Sequence, residues 1–169
     1  MMYEGISTES PLSQGDLIED CPLFSLDDPN AVADLTASPV RWQSRIVILT
    51  QACDLVQTKT MRVVVAPVYS AQKLVEREIL KASTIRDNIR RGMTYGWYFL
   101  PIAPEPLVMP ESIVDLRDLH TVSRAVLERL IADGKRVCRI VTPYREHLAQ
   151  HFAVTYMRIG LPEPYETEP

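Results

Sequence analysis

The segment MRVVVAPV, residues 61–68, constrains the fold of this chain more than any other stretch of its sequence. The segment is apolar at nearly every position, and successive side chains of a β-strand point to opposite faces of the sheet. Such a run is typical of a strand that is buried on both sides. We therefore expect a sheet that is covered on both of its faces.

Other short segments rich in β-branched and aromatic residues also predict strands. They are Asp16–Phe24, Arg45–Thr50, Tyr95–Ile102, Ser112–Leu116 with Thr121–Val122, and Arg136–Val141. Residues 25–43 contain two prolines and several Asp, Asn and Ser residues between strand-like runs, and this composition predicts a long surface loop. Long loops in compact domains are often functional.

Helical periodicity is present in three segments, most of them late in the chain. The three are 71–91, with a break at Ser83-Thr84; 123–132, with a stop at Gly134; and the residues from Thr142-Pro143 to Gly160. Strands thus come early and helices late. This order favours an α+β fold with a small antiparallel barrel or sheet over a doubly wound parallel fold.

The length of 169 residues predicts one domain, residues 1–169. Within it we expect a loose N-terminal arm (1–13), a barrel (15–122) with a helical insertion (about 71–91), C-terminal helices and a strand (123–162), and an acidic tail (163–169).

Composition excludes several classes of protein. No apolar stretch reaches the roughly 20 residues of a membrane-spanning helix, and no signal peptide is visible, so we expect a cytoplasmic protein without membrane contact. Three cysteines without a CxxC pair exclude a disulfide framework and a cysteine-rich zinc module. The net charge of -4 argues against broad nonspecific nucleic-acid binding, although a local basic groove is compatible with it. The scattered glycines form no phosphate-binding loop, and we expect no cofactor.

Three stretches carry a resemblance to a known family. QGDLIEDCPLF (14–24) resembles the family's opening strand, SRIVILTQACD (44–54) with MRVVVAPVYSAQK (61–73) resembles its next two strands, and SIVDLRDLHTVSRAVLERL (112–130) resembles its late strand and closing helix. The family is that of the MazF/PemK-like toxins. The resemblance implies an SH3-like barrel, and a homodimeric, sequence-specific endoribonuclease that a partner antitoxin neutralises in a toxin–antitoxin or defence system.

The resemblance also implies catalytic residues. Arg45 matches the arginine that heads the family's second strand, and the hydroxyl residue after the third strand corresponds to Tyr69, with Ser70 beside it. A guanidinium group can hold a phosphate through two hydrogen bonds, and a hydroxyl can assist proton transfer at the 2′-hydroxyl of RNA. The alternative is that Arg45 is a strand-edge charge and that Ser70 caps the helix that follows.

Candidates for binding the RNA strand lie on both sides of these residues. Trp42 and Arg41, in the expected loop, can stack on a base and pair with a phosphate. Arg86 and Arg90 belong to the locally basic segment STIRDNIRRG. The alternative for the arginines is a solvated helix face of mixed charge.

A second candidate site consists of Cys53 and Asp54 together with His147 and His151. The two histidines are four residues apart on a predicted helix, the spacing with which a helix offers two imidazoles to a metal. Cys53 is a candidate nucleophile, but the adjacent carboxylate disfavours its thiolate form. Alternatively, Asp54 forms a turn after the strand and the histidines lie on the surface.

Three hypotheses follow. The first is a MazF/PemK-like protein that binds single-stranded RNA across residues 25–45 and 69–91 and cleaves it without a metal. The second is a non-catalytic module of the same fold that binds a protein partner, such as an antitoxin. The third is a metal or thiol enzyme that uses Cys53, Asp54, His147 and His151.

Overall fold

The computed structural model describes residues 1–26, 36, 38–56, 60–107 and 109–157, and these residues form an α+β structure. The strands are β1 (Tyr3–Glu4), β2 (Asp16–Ser25), β3 (Val40–Ile48), β4 (Arg62–Ser70), β5 (Trp97–Leu100), β6 (Ser112–Asp115), β7 (His120–Ser123) and β8 (Arg136–Ile140). The helices are α1 (Ala52–Val56), α2 (Ala71–Glu76), α3 (Ala82–Thr84), α4 (Arg124–Ala132) and α5 (Tyr144–Tyr156), and a π-helical segment, Ile85–Ile89, continues α3.

All strand pairs in the described residues are antiparallel and belong to one sheet, in the order β1-β8-β2-β3-β4-β6-β5. β4 is the central strand: β3 pairs along one edge, while β7 and β6 share the other edge, pairing with Arg62–Val65 and Val68–Ser70 respectively. In the part of the chain that the structure describes, the end strands β1 and β5 do not pair with each other, so the sheet is open. The α+β prediction is confirmed at this level.

The expectation for MRVVVAPV is also confirmed. Alternate residues of β4 enter two different cores: Val63 and Val65 belong to one, and Ala66 and Val68 belong to the other. All four are buried. The sheet is therefore covered on both faces, as the unbroken apolar run predicts.

Helices supply this cover. On the Val68 face of the sheet, Leu148 and Phe152 of α5 pack against the core. On the Val63 face, Leu127 and Ile131 of α4 and Leu55 of α1 fill the core. A third, smaller core joins α2 and the π-helical segment to β5 and β6; its buried members are Ala71, Leu74, Ile85, Ile89, Trp97 and Ile113.

The predicted helix 71–91 is interrupted five residues before the expected break at Ser83-Thr84. α2 ends at Glu76, and Glu78 has a left-handed backbone with φ of 57°. The amide groups of Ile79 and Leu80 then both donate to the carbonyl of Leu74, which turns the chain before α3 begins. The apolar periodicity continues through the break, because Ile85 and Ile89 still enter the third core.

The expected loop 25–43 is shorter than predicted at both ends. β2 and β3 extend as a two-stranded ribbon, in which Ser25 pairs with Val40 and Phe24 pairs with Arg41. Residues 27–35 and 37 lie outside the described part of the chain. The prolines and polar residues predicted a loop, but strand pairing includes the residues next to them.

The N-terminal residues 1–13, expected as a loose arm, contact the sheet. β1 pairs with β8, and the Arg136 guanidinium donates to the carbonyl groups of Ser7, Ser10 and Pro11. Sequence reasoning missed this because the holding arginine lies more than 120 residues away along the chain.

The C-terminal region agrees with the prediction as far as the structure describes it. α5 begins at Tyr144, directly after Pro143, and is described to Tyr156. The predicted helix end at Gly160 and the acidic tail 163–169 lie outside the described residues. None of the described helices combines the length and the apolar character that crossing a membrane would require.

Candidate functional site

A cavity with a volume of about 700 Å³ lies beside α2. We call it the groove. Its walls come from α2, α3 with the π-helical segment, the end of β5 and the residues before β6. The lining residues are Ser70, Ala71, Gln72, Val75, Glu76, Ala82, Ile85, Arg86, Arg90, Phe99, Ile102, Pro110 and Glu111. Three predicted site residues, Ser70, Arg86 and Arg90, therefore meet at one cavity.

The two groove arginines are exposed and differ in their contacts. Arg86 forms an ion pair with its neighbour Asp87, with 2.9 Å between Nε and Oδ1. Arg90 forms no ion pair with any described residue, and its guanidinium lies 5.4 Å from the ring centroid of Phe99. A guanidinium that lies over an aromatic ring and has no carboxylate partner keeps its N–H groups available to an anion. Arg90 can therefore bind an anion without breaking an ion pair.

Ser70 is the N-cap of α2, as the alternative interpretation predicted. Its hydroxyl oxygen accepts a hydrogen bond from the backbone N–H of Lys73 at 3.5 Å. Such a cap satisfies one of the free amide groups at the start of a helix. Because the bond is long and Ser70 also lines the groove, the hydroxyl can reach a ligand there.

Arg45 and Tyr69 occupy opposite faces of the sheet. Arg45 pairs in register with Val68 of β4, and its charge acts on Tyr3 and Cys138, two members of the α5-covered core. Tyr69, the next residue of β4, packs against the third core instead. The structure therefore does not place these two predicted catalytic side chains at one site.

Arg45 is also engaged by another residue. Its side chain is only 17% exposed and forms an ion pair with Glu19, in which Nε donates to Oε1 at 2.7 Å. A guanidinium paired with a carboxylate in this way has to exchange that partner before it can hold a phosphate.

Tyr69 has a raised pKa, mainly because it is half-buried and also because Asp118 and Asp115 disfavour its ionised form. The Tyr69 hydroxyl therefore keeps its proton at neutral pH and acts as a hydrogen-bond donor rather than as a base.

Trp42 and Arg41 are placed on the β2–β3 ribbon and do not line the groove. Arg41 lies over the Phe24 ring at 5.9 Å. Trp42 packs edge-on against His120, with ring centroids 5.6 Å apart, and His120 in turn contacts Asp118. The predicted RNA-binding residues thus divide into two separate groups, one at the groove and one on the ribbon.

A second, smaller cavity of about 230 Å³ adjoins the groove, and Arg90 and Phe99 line both. We call it the histidine pocket. Its lining residues are Met2, Ile89, Arg90, Gly92, Tyr98, Phe99, Pro101, Tyr144, His147 and His151. His147 and His151 share one face of α5, as their spacing predicted, and their ring centroids are 6.5 Å apart.

The two histidine rings have different surroundings. His147 Nδ1 is 3.0 Å from the hydroxyl of Tyr98, whereas Nε2 of the buried His151 has no hydrogen-bond partner among the described residues. Burial lowers the pKa of His151, the charge of His147 lowers it further, and the backbone groups of Thr94 and Trp97 act in the opposite direction. His151 is therefore neutral at neutral pH.

Burial, together with the nearby Tyr144, raises the pKa of Tyr98 to about 12. The Tyr98 hydroxyl thus stays protonated and can donate to His147 Nδ1. A partial signal for this pocket was present in the sequence, because Tyr144, His147 and His151 have helical spacing. Tyr98 and Phe99 had no such signal, since their position depends on how β5 lies against α5.

Cys53 and Asp54 lie on α1 and line neither cavity. Both are exposed, and the Cys53 sulfur is 3.6 Å from the Gln51 side-chain oxygen and 3.8 Å from the Asp54 carboxylate. Within the described ranges, no group of three or more His, Cys, Asp or Glu side chains is arranged to hold a metal. The four residues of the predicted second site are therefore divided between α1 and the histidine pocket.

Comparison with known proteins adds no family assignment to this geometry. No protein-family model matches the chain, and a search of curated proteins returns no match.

Proposed function

We propose that this chain is a MazF/PemK-like protein that binds single-stranded RNA in the groove. The observation that carries the proposal is the position of Ser70, Arg86 and Arg90 on the walls of one cavity of about 700 Å³. Guanidinium groups suit phosphate oxygens, and an aromatic ring beside them suits an unpaired base.

The charges around the groove define what kind of binding to expect. Glu76 and Glu111 line the same cavity as the two arginines, so the groove is not uniformly positive. Gln72 donates to Glu76 at 2.7 Å, which holds one of these carboxylates against α2. A few phosphate contacts on a chain of net charge -4 favour moderate affinity that falls with added salt.

The proposal includes an SH3-like barrel as the centre of the fold. It is supported by the antiparallel pairing of β2 with β3 and of β3 with β4, which follows the order that the family resemblance implies.

Cleavage is the catalytic part of the proposal. The 2′-hydroxyl of a ribose loses its proton as its oxygen attacks the adjacent phosphorus, the bond to the 5′-oxygen breaks, and the 5′-oxygen takes up a proton, which leaves a 2′,3′-cyclic phosphate and a free 5′-hydroxyl. Ser70 assists the proton transfer and a groove arginine holds the phosphate, because Arg45 does not line the groove and is paired with Glu19. No metal takes part.

A second candidate is a non-catalytic module that binds a protein partner of the antitoxin type, as a homodimer. The ion pair of Arg45 with Glu19 favours it, because the arginine that the resemblance makes catalytic has a structural partner. The capping bond of Ser70 favours it as well.

Fluorescence anisotropy with a labelled single-stranded RNA of mixed sequence tests binding. We expect Arg86→Gln with Arg90→Gln to weaken binding and to reduce the slope of log K against log salt by roughly 0.7 for each lost phosphate contact. Arg91→Gln is the matched control, since Arg91 is exposed in the same segment but lines neither cavity. Equal losses in both variants would contradict a groove-specific site.

Incubation of the RNA in EDTA, followed by analysis of the ends, tests cleavage. Products with a 2′,3′-cyclic phosphate that disappear in Ser70→Ala support the catalytic hypothesis. Intact RNA, with binding that depends on Arg90, would reject cleavage and leave the binding module. Cleavage that persists in Ser70→Ala but is lost in Arg45→Ala would move the site from the groove to Arg45.

A further inference from the structure

The histidine pocket opens beside the groove, and the two cavities share Arg90 and Phe99. A ligand that runs along the groove therefore meets the pocket at these two side chains. In a single nucleic-acid strand, phosphates and bases alternate along the chain, so a strand with a phosphate at Arg90 has a base within reach of the pocket. The neighbouring cavities match the two chemical parts of one nucleotide.

The pocket walls suit a planar heterocycle better than a second phosphate. Tyr98, Tyr144 and Phe99 contribute aromatic rings, and Met2, Ile89 and Pro101 contribute apolar surface. Arg90 is its one arginine, and the buried His151 is neutral. A volume of about 230 Å³ is small, below the roughly 300 Å³ at which cavities for drug-sized ligands begin, and it suits a single base.

Two ring nitrogens can recognise the edge of such a base. When Tyr98 donates to His147 Nδ1, that nitrogen carries no proton and the ring proton is on Nε2, which is then a hydrogen-bond donor. His151 is only 9% exposed, and its Nε2 has no partner in the described structure. An unsatisfied polar atom in a buried position is costly, and a polar edge of a ligand can satisfy it.

We propose that the histidine pocket receives one unpaired nucleobase of the RNA strand whose backbone lies in the groove. Arg90, which lines both cavities, binds the phosphate where the two cavities meet. The inference rests on the proposed RNA binding, and it specifies the place where the protein recognises a base. The base stacks on Tyr144, and its edge meets His147 and His151. The pocket would then give the chain its sequence preference, since phosphate contacts at the groove carry none.

Alanine substitution of Tyr144 tests the stacking. Tyr144 is 41% exposed on α5, and we expect Tyr144→Ala to weaken RNA binding about five- to hundredfold, as loss of one stacked base does. Tyr144→Phe keeps the ring and should bind like the wild type, which separates stacking from loss of fold. Phe24→Ala removes an exposed aromatic ring outside the pocket and should leave affinity unchanged.

The three histidines of the chain provide a second readout, because their imidazole signals can be resolved by NMR. RNA should shift the imidazole signals of His147 and His151. The signal of His120 should stay unchanged, because His120 lines neither cavity. The same RNA with an abasic position at the preferred base should lose both shifts.

The outcomes separate the two proposals. RNA binding that depends on Arg90, with unchanged affinity in Tyr144→Ala and unmoved His147 and His151 signals, would overturn the base pocket and leave RNA binding intact. No binding of RNA by the wild-type protein would overturn both. Weaker binding in Tyr144→Ala, rescue in Tyr144→Phe and shifts of both histidines would support the pocket.

Discussion

Two regions of this molecule use arginine in opposite ways. At the N-terminal anchor, which consists of Asp16, Arg136 and Arg139, both guanidinium groups surround one carboxylate that has no exposed surface. At the groove, Arg86 and Arg90 are exposed, and Arg90 has only the Phe99 ring beneath it. Arginine thus stabilises the fold at the N-terminal anchor, and it is available to bind a ligand at the groove.

The anchor and groove arginines differ in how many of their N–H groups already have hydrogen-bond partners in the protein. Nη1 of Arg136 lies 3.0 Å and Nε of Arg139 lies 2.6 Å from the Asp16 carboxylate, and both arginines also donate to the carbonyl of Pro11. A buried charge persists only where such partners exist. Arg86 pairs with its exposed neighbour Asp87, whereas Arg90 has no ion pair among the described residues, so a ligand can bind Arg90 without displacing a carboxylate. Proximity of arginines alone therefore does not identify a binding site.

The largest expected effect is at the anchor. Asp16→Asn leaves Arg136 and Arg139 without their counter-charge, and removal of one partner of a buried ion pair costs about 3–5 kcal/mol of unfolding free energy. Chemical denaturation measures it. Asp20→Asn is the control, because its pair with Lys135 is about half exposed and such surface pairs contribute about 0–1 kcal/mol. Similar losses in both variants would contradict the anchor's role.

A pH effect should come from the histidine pocket. The pKa of His151 is lowered in the folded state, so below its ordinary value of about 6.5 the unfolded state binds the proton more readily. The unfolding free energy should therefore fall as the pH drops below this value. The His151→Gln variant should lack this pH-dependent decrease. Denaturation of the wild-type protein and of His151→Gln at a series of pH values measures this decrease. Parallel curves of unfolding free energy against pH would contradict a contribution from His151.

A smaller effect is expected where the groove meets α2. Ser70→Ala removes the cap of this helix and should lower unfolding free energy by about 1 kcal/mol. Ser70→Gly should cost only a few tenths of that, since glycine is tolerated at an N-cap. If RNA is cleaved, both variants should lose cleavage, while the loss of stability should be larger in the alanine variant than in the glycine variant. Equal stability of all three proteins would show that the 3.5 Å contact contributes nothing.

The smallest effect on stability should be at Arg90. Because Arg90 is exposed and has no ion pair in the described structure, Arg90→Gln should change the unfolding free energy by about 0.5 kcal/mol or less. The same substitution should weaken RNA binding roughly tenfold, the effect of one charged hydrogen bond. A large loss of stability with unchanged RNA binding would make Arg90 a structural residue like Arg136 and would remove the contrast between the two regions.

The sequence predicted most of the strands because these carry a local signal, but it missed β1, and β3 begins at Val40 rather than at Arg45. The β-branched runs at β2, β4, β6 and β8 gave their positions to within a few residues, and Gly134 marked the end of α4. The break in the predicted helix 71–91 was misplaced because the apolar periodicity runs through it. The left-handed backbone at Glu78 has no distinctive residue type to announce it.

Candidate site residues were predicted less evenly. Ser70, Arg86 and Arg90 meet at the groove, and His147 and His151 meet at the pocket, because each set lies close along the chain. Whether these residues act on RNA stays a prediction.

The residue pattern was enough to predict an α+β chain with a sheet covered on both faces, because alternation and periodicity are local properties of neighbouring residues. Which arginines are engaged in ion pairs became known from the folded structure. Asp16 and Arg136 are 120 residues apart, and Glu19 and Arg45 are 26 apart, so their pairing depends on strand register. Arg90 is available for ligand binding because no carboxylate of the described residues forms an ion pair with it. That outcome depends on long-range packing, which residue types and spacing do not encode.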